Sequence, residues 1–265
     1  MSSDVRSAAV AGSFYAADPE TLRRTVQSLL GRAPVVAADA RPPKAIIAPH
    51  AGYRCSGAIA ATAYATLAPA RGLVRRVVIA GPAHFTPVDA VAVSGATAFS
   101  TPLGPVTVDD DARRRALEVP GVVVSDAAHA GEHSVEVHLP LLMAVLGDVP
   151  ILPLVIGRSG AAVLGDVLDL LWGGSETAIV ISTDLSHYLE SHVASELDRR
   201  TAEAICRLEA PAPDAACGAA AVDGLLRAAR LRDVEVRALD VRNSADTCSD
   251  PERVVGYGAF TVFEV

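Results

Sequence analysis

Several short apolar runs in the chain are followed by the same kind of segment. Each run leads into a short stretch that contains a proline, a glycine or an acid, and a histidine follows within a few residues. Three runs show this pattern: residues 45–48 before His50, residues 76–80 before His84, and residues 178–182 before Asp184 and His187. Apolar runs of this length that are bounded by turn residues favour buried strands over helices. In an open α/β sheet, side chains that follow the carboxyl ends of parallel strands collect in one crevice. The pattern therefore predicts that these side chains share one cavity.

Segments with helical periodicity alternate with the apolar runs. Helices are predicted at residues 19–30, 56–67, 109–118, 134–146, 161–172, 187–208 and 214–229, and further strands at residues 88–93, 121–124, 149–156, 234–241 and 254–263. Alternation of this kind implies parallel pairing, with helices on both faces of the sheet. No internal repeat or linker interrupts the pattern. We therefore expect an α/β fold, a single domain over residues 1–265 with a largely parallel central sheet.

Composition narrows the class of protein. Hydrophobic residues make up 51% of the 265 residues, which is enough for a sizeable core without cross-links. The net charge is −8 and no basic run is present, which argues against nucleic acid or an anionic membrane as a partner. No apolar stretch reaches the roughly 18 residues of a membrane span, and no signal peptide is recognisable. A cytoplasmic location is therefore expected.

The cysteines are widely separated and form no Cys-x-x-Cys motif. They are Cys55, Cys206, Cys217 and Cys248. At this size and density a disulfide scaffold is not expected. Cys55 and Cys217 are interpreted as small buried side chains, and Cys206 as inert.

His50 and His84 are the best candidates for metal ligands, because neutral imidazole binds Fe, Zn and Cu. The alternative is that both are core histidines at strand ends. Asp184 and His187 have the spacing of an acid that orients a general acid/base histidine across a turn. The alternative role for Asp184 is to cap the helix that is predicted to follow.

A second histidine-rich stretch comes just before the predicted helix of residues 134–146. His133 is a candidate proton donor or a partner of a metal ligand, with a solvated loop as the alternative. Glu132 and Tyr53 are candidates for contact with a substrate, and Tyr53 follows the first histidine motif directly. His129 is expected at the surface.

Four motifs, taken in order, resemble the Memo family. They are Pro49-His50-Ala51-Gly52-Tyr53, Gly81-Pro82-Ala83-His84, Glu132-His133-Ser134-Val135-Glu136-Val137-His138-Leu139-Pro140 and Ser182-Thr183-Asp184-Leu185-Ser186-His187. In many prokaryotes this family is protein B of the AmmeMemoRadiSam system. The similarity extends from residues 11–15 to the last predicted strand. It implies a fold shared with the LigB-type class III extradiol dioxygenases, which are non-haem iron enzymes.

The resemblance also implies a metal pocket of two histidines and a cysteine, which match His50, His84 and Cys248. The dioxygenase relatives have a carboxylate in place of the thiol. Asp246 and Asp250 are the local candidates if the third ligand here is a carboxylate. Cys217 is followed by Gly218, as in a Cys-Gly pair of the family. The expected cofactor is a divalent metal, with Fe(II) as the first choice and Zn or Cu as alternatives.

The function that the resemblance implies is an iron-dependent, dioxygenase-like oxidoreductase that acts on a small organic substrate. Asp184, His187 and His133 would then be its catalytic residues. A zinc-dependent hydrolase or lyase is one alternative. A non-enzymatic protein that binds a peptide or a partner in the ancestral cleft is another. AMMECR1-like and radical-SAM proteins of the same system are the partners that the resemblance suggests.

Overall fold

A mixed β-sheet forms the centre of the structure, a computed structural model that describes residues 5–248 and 251–265. The strands are β1 (Val5–Arg6), β2 (Ala45–Ala48), β3 (Arg76–Pro82), β4 (Val91–Val93), β5 (Ala98–Thr101), β6 (Gly104–Thr107), β7 (Val122–Val124), β8 (Ile151–Ile156), β9 (Thr177–Ser182), β10 (His187–Leu189), β11 (Val234–Asn243) and β12 (Val254–Glu264). The helices are α1 (Pro19–Arg32), α2 (Tyr53–Ala65), α3 (Asp110–Ala116), α4 (Asp126–Ala130), α5 (Leu139–Leu146), α6 (Ala161–Leu171), α7 (Ser191–Cys206) and α8 (Ala219–Ala229).

The central sheet has the strand order β10-β12-β2-β9-β3-β8-β4-β7, and β11 pairs with β12. The four inner strands β2, β9, β3 and β8 are parallel to one another. Antiparallel pairs flank them, β12 beside β2 and β4 beside β8. A separate small sheet has the order β1-β5-β6. The predicted α/β class with a parallel centre is confirmed, and the antiparallel strands lie towards the edges.

Alternate residues of the inner strands face opposite sides of the sheet, as the geometry of a strand requires. Ile46 and Ile79 belong to one apolar core, which also contains side chains of α1, α2 and α5. Ile47 and Val78 belong to the other, which contains side chains of α6, α7 and α8. Because both faces are covered, the inner strands are buried along almost their whole length instead of alternating between buried and exposed residues.

The segment after β9 differs from the prediction. Residues 187–208 were expected to form one helix, but His187–Leu189 is the edge strand β10, and α7 begins at Ser191. His187 pairs with Val255 of β12, and this tertiary pairing overrides the local helical preference.

Lys44 is the single lysine of the chain and lies at the start of β2. Its side chain is buried, and Nζ donates hydrogen bonds to the carbonyl oxygens of Gly174 at 2.7 Å and Thr177 at 2.8 Å. Burial lowers the pKa of this amine to about 8. Lys44 thus fixes the turn that leads from α6 into β9.

The amino-terminal segment is fastened to the body by a buried carboxylate. Glu136 is fully buried and is ion-paired with Arg6. It also accepts a hydrogen bond from the Tyr15 hydroxyl at 2.5 Å. Between these two anchors the segment places Phe14 against the site, with its ring centroid 4.7 Å from that of His133.

The helices of the described part of the chain were compared with the requirements of a membrane span. None of them has both the length and the apolar character that crossing a membrane requires.

The contact between α6 and α8 depends on the absence of a side chain at Gly224. A Cβ atom there would lie 2.7–2.8 Å from three side-chain atoms of Leu164, whereas a Cβ at Gly31 of α1 would meet nothing within 4 Å. We expect Gly31→Ala to stabilise the protein through helix propensity. Gly224→Ala should be less stable than Gly31→Ala by about 1–3 kcal/mol because of overpacking. Urea unfolding measures both, and equal stabilities would contradict the packing argument.

Candidate metal centre

His50 and His84 converge although 34 residues separate them in the chain. Each follows the carboxyl end of an inner parallel strand, β2 or β3, and β9 lies between the two strands. Their ring centroids are 5.1 Å apart in an edge-to-face arrangement. The two side chains therefore converge at the same edge of the sheet, as the positions of their strands predicted.

The hydrogen bonds of His50 select one tautomer of its ring. Ser182 Oγ donates its single hydrogen to the carbonyl oxygen of Ser134 at 2.6 Å. The contact of 2.6 Å between His50 Nδ1 and Ser182 Oγ must then use a hydrogen on Nδ1. His50 Nε2 therefore carries a free lone pair. Burial, reinforced by the nearby histidines, holds the pKa of His50 well below its usual value, so the ring is neutral.

His84 is oriented in the same way by a carboxylate. Its Nδ1 donates to Glu132 Oε1 at 2.8 Å, and its backbone N–H donates to Glu132 Oε2 at 2.7 Å. Burial alone would raise the pKa of Glu132, but the hydrogen bonds from His84 and from the backbone of Ser134 outweigh it and lower the pKa to about 2. The ionised carboxylate can only accept, so the hydrogen of a neutral His84 ring lies on Nδ1, and Nε2 is then unprotonated.

The sulfur beside these histidines belongs to Cys217. Its Sγ lies 3.3 Å from His50 Nε2, and the ligand atoms of His50, His84 and Cys217 all lie within 4.8 Å of one another. Burial, with the charge of Asp184, raises the pKa of the thiol to about 12. A bound metal ion would counteract this, because a coordinating thiol is deprotonated.

Cys248, the predicted third ligand, is placed elsewhere. It forms a disulfide with Cys55, with the two Cα atoms 5.1 Å apart, so its sulfur is not available as a thiolate. The disulfide also corrects the interpretation of Cys55 as a small buried side chain. Of the two alternative carboxylates, Asp246 accepts a hydrogen bond from the backbone N–H of Asn243 as part of a capping box. Asp250 lies outside the described residues.

Gly218 was the feature of the sequence that could have identified Cys217 as a candidate ligand. A Cβ atom at Gly218 would lie 2.5 Å from the carbonyl oxygen of Ser182 and 2.7 Å from the Cβ of Thr183. Only glycine therefore allows the loop before α8 to approach the end of β9 and bring Cys217 to the histidines. Ser182 was also missed as a partner of His50, because its role depends on which strands are neighbours.

Asp184 lies in the cluster but orients a different group from the one predicted. Its Oδ1 accepts the backbone N–H of His50 at 2.8 Å, and its own N–H donates to Cys217 Sγ at 3.3 Å. Burial raises the pKa of Asp184 to about 7, against the opposing effect of the backbone N–H groups of His50 and Ala51. No helix begins beside it for it to cap. Asp184 thus connects two of the candidate ligands.

His187 is instead oriented by the backbone. Its Nδ1 donates to the carbonyl oxygen of Leu185 at 2.8 Å, so its Nε2 is also unprotonated when the ring is neutral. Burial lowers the pKa of His187.

His133 lies directly beside the two candidate histidine ligands. Its ring is stacked on that of His84, with 4.5 Å between centroids, and lies 5.4 Å from that of His50. Burial, with the charge of His84, lowers the pKa of His133 to about 4. The alternative of a solvated loop is therefore excluded for this side chain.

The two residues predicted to contact a substrate have other partners. Tyr53 is buried in the core, and its hydroxyl donates to the carbonyl oxygen of Val137 at 2.8 Å. Glu132 is 2% exposed, and Oε1 also accepts the backbone N–H groups of His133 and Ser134, each at 2.9 Å. These contacts make Glu132 a positioning residue and Tyr53 a core residue, which corrects both predictions.

A cavity of about 720 Å³ opens beside the cluster. His84 and Cys217 line it, together with the turn after β8 and the proline-containing loop before α8. This volume falls within the range of small-molecule sites. Three side chains that could hold a metal ion, two of which line such a cavity, define the class of protein as an α/β protein with a candidate metal centre.

Comparisons with known proteins identify the family. A family model described as Memo-like protein matches residues 6–261. A MEMO1 family protein of Methanothermobacter thermautotrophicus is 31% identical over 96% of this chain and 98% of its own length. Another, from Methanopyrus kandleri, is 34% identical over 96% of this chain and 97% of its own length. The chain belongs to the Memo family.

A solved structure shares the fold. The uncharacterised protein JW3007 of Escherichia coli K12 matches with a TM-score of 0.53, 14% identity, and coverage of 83% of this chain and 99% of its own. At this identity the likeness shows the fold alone.

His129 provides a test of the buried histidines away from the cluster. It was expected at the surface, but it is 1% exposed, and burial lowers its pKa to about 4 although its ring is hydrogen-bonded to the carbonyl oxygen of Ala92. The unfolded chain therefore binds a proton near pH 6.5 that the folded protein binds only near pH 4.

We expect the free energy of unfolding to fall as the pH is lowered through this window, with His129 contributing up to about 3 kcal/mol of the loss. The variant His129→Gln should lose correspondingly less free energy of unfolding over the same range of pH. Urea unfolding at several pH values measures the slope, and identical slopes for the two proteins would contradict the assignment.

Proposed function

We propose that the protein is a metal-dependent oxidoreductase whose metal is held by His50 Nε2, His84 Nε2 and Cys217 Sγ. The observation that carries the proposal is that one ligand atom from each of these three residues lies within 4.8 Å of the other two, and that Nδ1 of each imidazole is hydrogen-bonded, which leaves Nε2 for a ligand. A histidine that only fills space in the core does not need a fixed tautomer or two other ligand atoms beside it.

The donor set suits a transition metal. Imidazole and thiolate together suit Fe, Cu and Zn, and three protein ligands leave a position open for substrate or water. Our first choice is Fe(II) with a dioxygenase-like reaction on a small organic molecule, as the family's resemblance to the LigB type suggests. Bound iron would supply the redox chemistry. The cavity beside His84 and Cys217 would hold the substrate.

The other residues of the cluster would manage protons and orientation. His133 stacks on His84 and would carry a proton between substrate and solvent, and His187 offers a second unprotonated Nε2 for the same task. Asp184 would hold the backbone of His50 and the sulfur of Cys217 in register. Partnership with AMMECR1-like and radical-SAM proteins remains part of the proposal.

The same donor set favours a second candidate, a zinc-dependent hydrolase or lyase. Catalytic zinc is commonly held by three protein ligands, including sets that mix cysteine and histidine, with a water in the fourth position. Anaerobic purification followed by elemental analysis separates the two. Near-stoichiometric iron that is lost in air supports the oxidoreductase, and zinc that survives air supports the hydrolase.

Substitution of the cysteines tests which sulfur is the ligand. We expect Cys217→Ser to lower metal affinity at least about tenfold, as expected for loss of a ligand. Cys248→Ser, which removes the disulfide, and Cys206→Ser should keep it. Chelator competition with Co(II) as the probe gives the affinities and the thiolate absorption. Loss of that absorption in Cys248→Ser but not in Cys217→Ser would contradict the proposed ligand set.

Ser182 is predicted to act on the metal through His50. Without its hydroxyl, His50 can adopt the other tautomer, so Ser182→Ala should weaken Co(II) binding about 10–100-fold. Thr201→Ala is the matched control, because it removes a buried hydroxyl on α7 whose one hydrogen bond within the described part of the chain is to the carbonyl oxygen of Leu197 in the same helix. Equal affinities for the two variants would refute the tautomer argument.

A further inference from the structure

We propose that Asp198 is the positioning residue that holds the Leu185-Ser186-His187 segment and thereby fixes the ring of His187. Asp198 lies on α7, is 1% exposed, and accepts the backbone N–H of Ser186 on Oδ1 at 2.9 Å. This deepens the proposed function, since it gives His187 the fixed orientation that a proton carrier needs.

Two backbone hydrogen bonds join the same segment to β12. The N–H of Leu185 donates to the carbonyl oxygen of Gly256, and the N–H of Gly256 donates to the carbonyl oxygen of Ser186, each at 2.8 Å. The segment is therefore held between β12 on one side and the carboxylate of Asp198 on the other.

Gly256 lets the carboxylate approach this closely. A Cβ atom at Gly256 would lie 1.9 Å from Asp198 Oδ2, so no other residue type fits without moving Asp198. Gly256 and Asp198 are in direct contact, and the segment that carries His187 is hydrogen-bonded to both residues.

The cost of burying Asp198 indicates that its carboxylate is present because it accepts a hydrogen bond. Asp198 Oδ2 is buried without a hydrogen-bond partner among the described residues. Burial of an acid costs several kcal/mol unless its bonds offset the cost. Burial also raises the pKa of Asp198, against the effect of its bonds with Ser186. The bond to the N–H of Ser186 is thus the feature that an apolar residue at this position could not supply.

The effect of Asp198 on His187 follows from two hydrogen bonds to one peptide group. His187 Nδ1 donates to the carbonyl oxygen of Leu185, which belongs to the same peptide group as the Ser186 N–H that donates to Asp198. The following residue, Tyr188, has a φ of 61°, a left-handed conformation that is strained for a bulky residue. Such a backbone persists only where the surroundings fix it, and the contacts of Asp198 and β12 do so here.

The test is the tautomer of His187 in the full-length, metal-free protein, read from long-range proton–nitrogen NMR spectra after labelling of histidine with ¹⁵N. His187→Gln assigns the signals. We expect His187 to be protonated on Nδ1 in the wild type, to remain so in Asp198→Asn, which keeps an acceptor oxygen, and to shift mainly to Nε2 protonation in Asp198→Ala. Glu203→Ala on the exposed side of α7 is the matched control and should match the wild type.

Nδ1 protonation that persists in Asp198→Ala would overturn the proposal, and so would its loss in Asp198→Asn. The signals of His50 and His84 should stay unchanged in every folded variant. If Asp198→Ala does not fold, hydrogen exchange of the wild type decides. The amide of Ser186 should exchange as slowly as those of β12, and rapid exchange would refute the bond to Asp198. Because the measurement uses no metal, its outcome is separate from that of the metal-binding experiments.

Discussion

The hydrogen bonds on the Nδ1 atoms of the site histidines are the interactions on which the candidate centre depends. Ser182 binds His50, Glu132 binds His84, and the carbonyl oxygen of Leu185 binds His187. Each bond uses the hydrogen on Nδ1, so in the neutral ring each Nε2 is left with a lone pair. A histidine in water has no such fixed choice. The fold therefore orients these rings in advance, and such preorganisation would reduce the cost of binding an ion at the candidate centre.

The sheet determines which partners are available. The order β2-β9-β3 places the strand that carries Ser182 between the strands that deliver His50 and His84. Parallel neighbours end at the same edge, so groups that are far apart in the chain come into contact there. Buried strands without polar interruption fix this register, because a shift of one residue would turn apolar side chains from one core to the other.

Much of this could be predicted from the sequence. The apolar runs and the histidines after them identified β2, β3 and β9 and the convergence of His50 with His84. The predictions that failed depended on long-range pairing. Cys248 has a polar loop around it in the sequence, and only the fold shows that Cys55 lies next to it. His187 was assigned to a helix because its pairing with β12 involves residues almost 70 positions away, and Tyr53 was assigned to the cavity because sequence does not show which face of α2 is buried.

Lys44 has a practical consequence for solution studies of this protein. Because it is the chain's single lysine and its amine is enclosed by the carbonyl oxygens of residues 173–177, acylating reagents and lysine-directed cross-linkers cannot reach a side-chain amine while this turn is closed. The rate at which Lys44 is acylated therefore reports the opening of the turn that precedes β9. Since β9 carries Ser182 at its far end, one labelling rate monitors the integrity of the strand behind the histidine cluster.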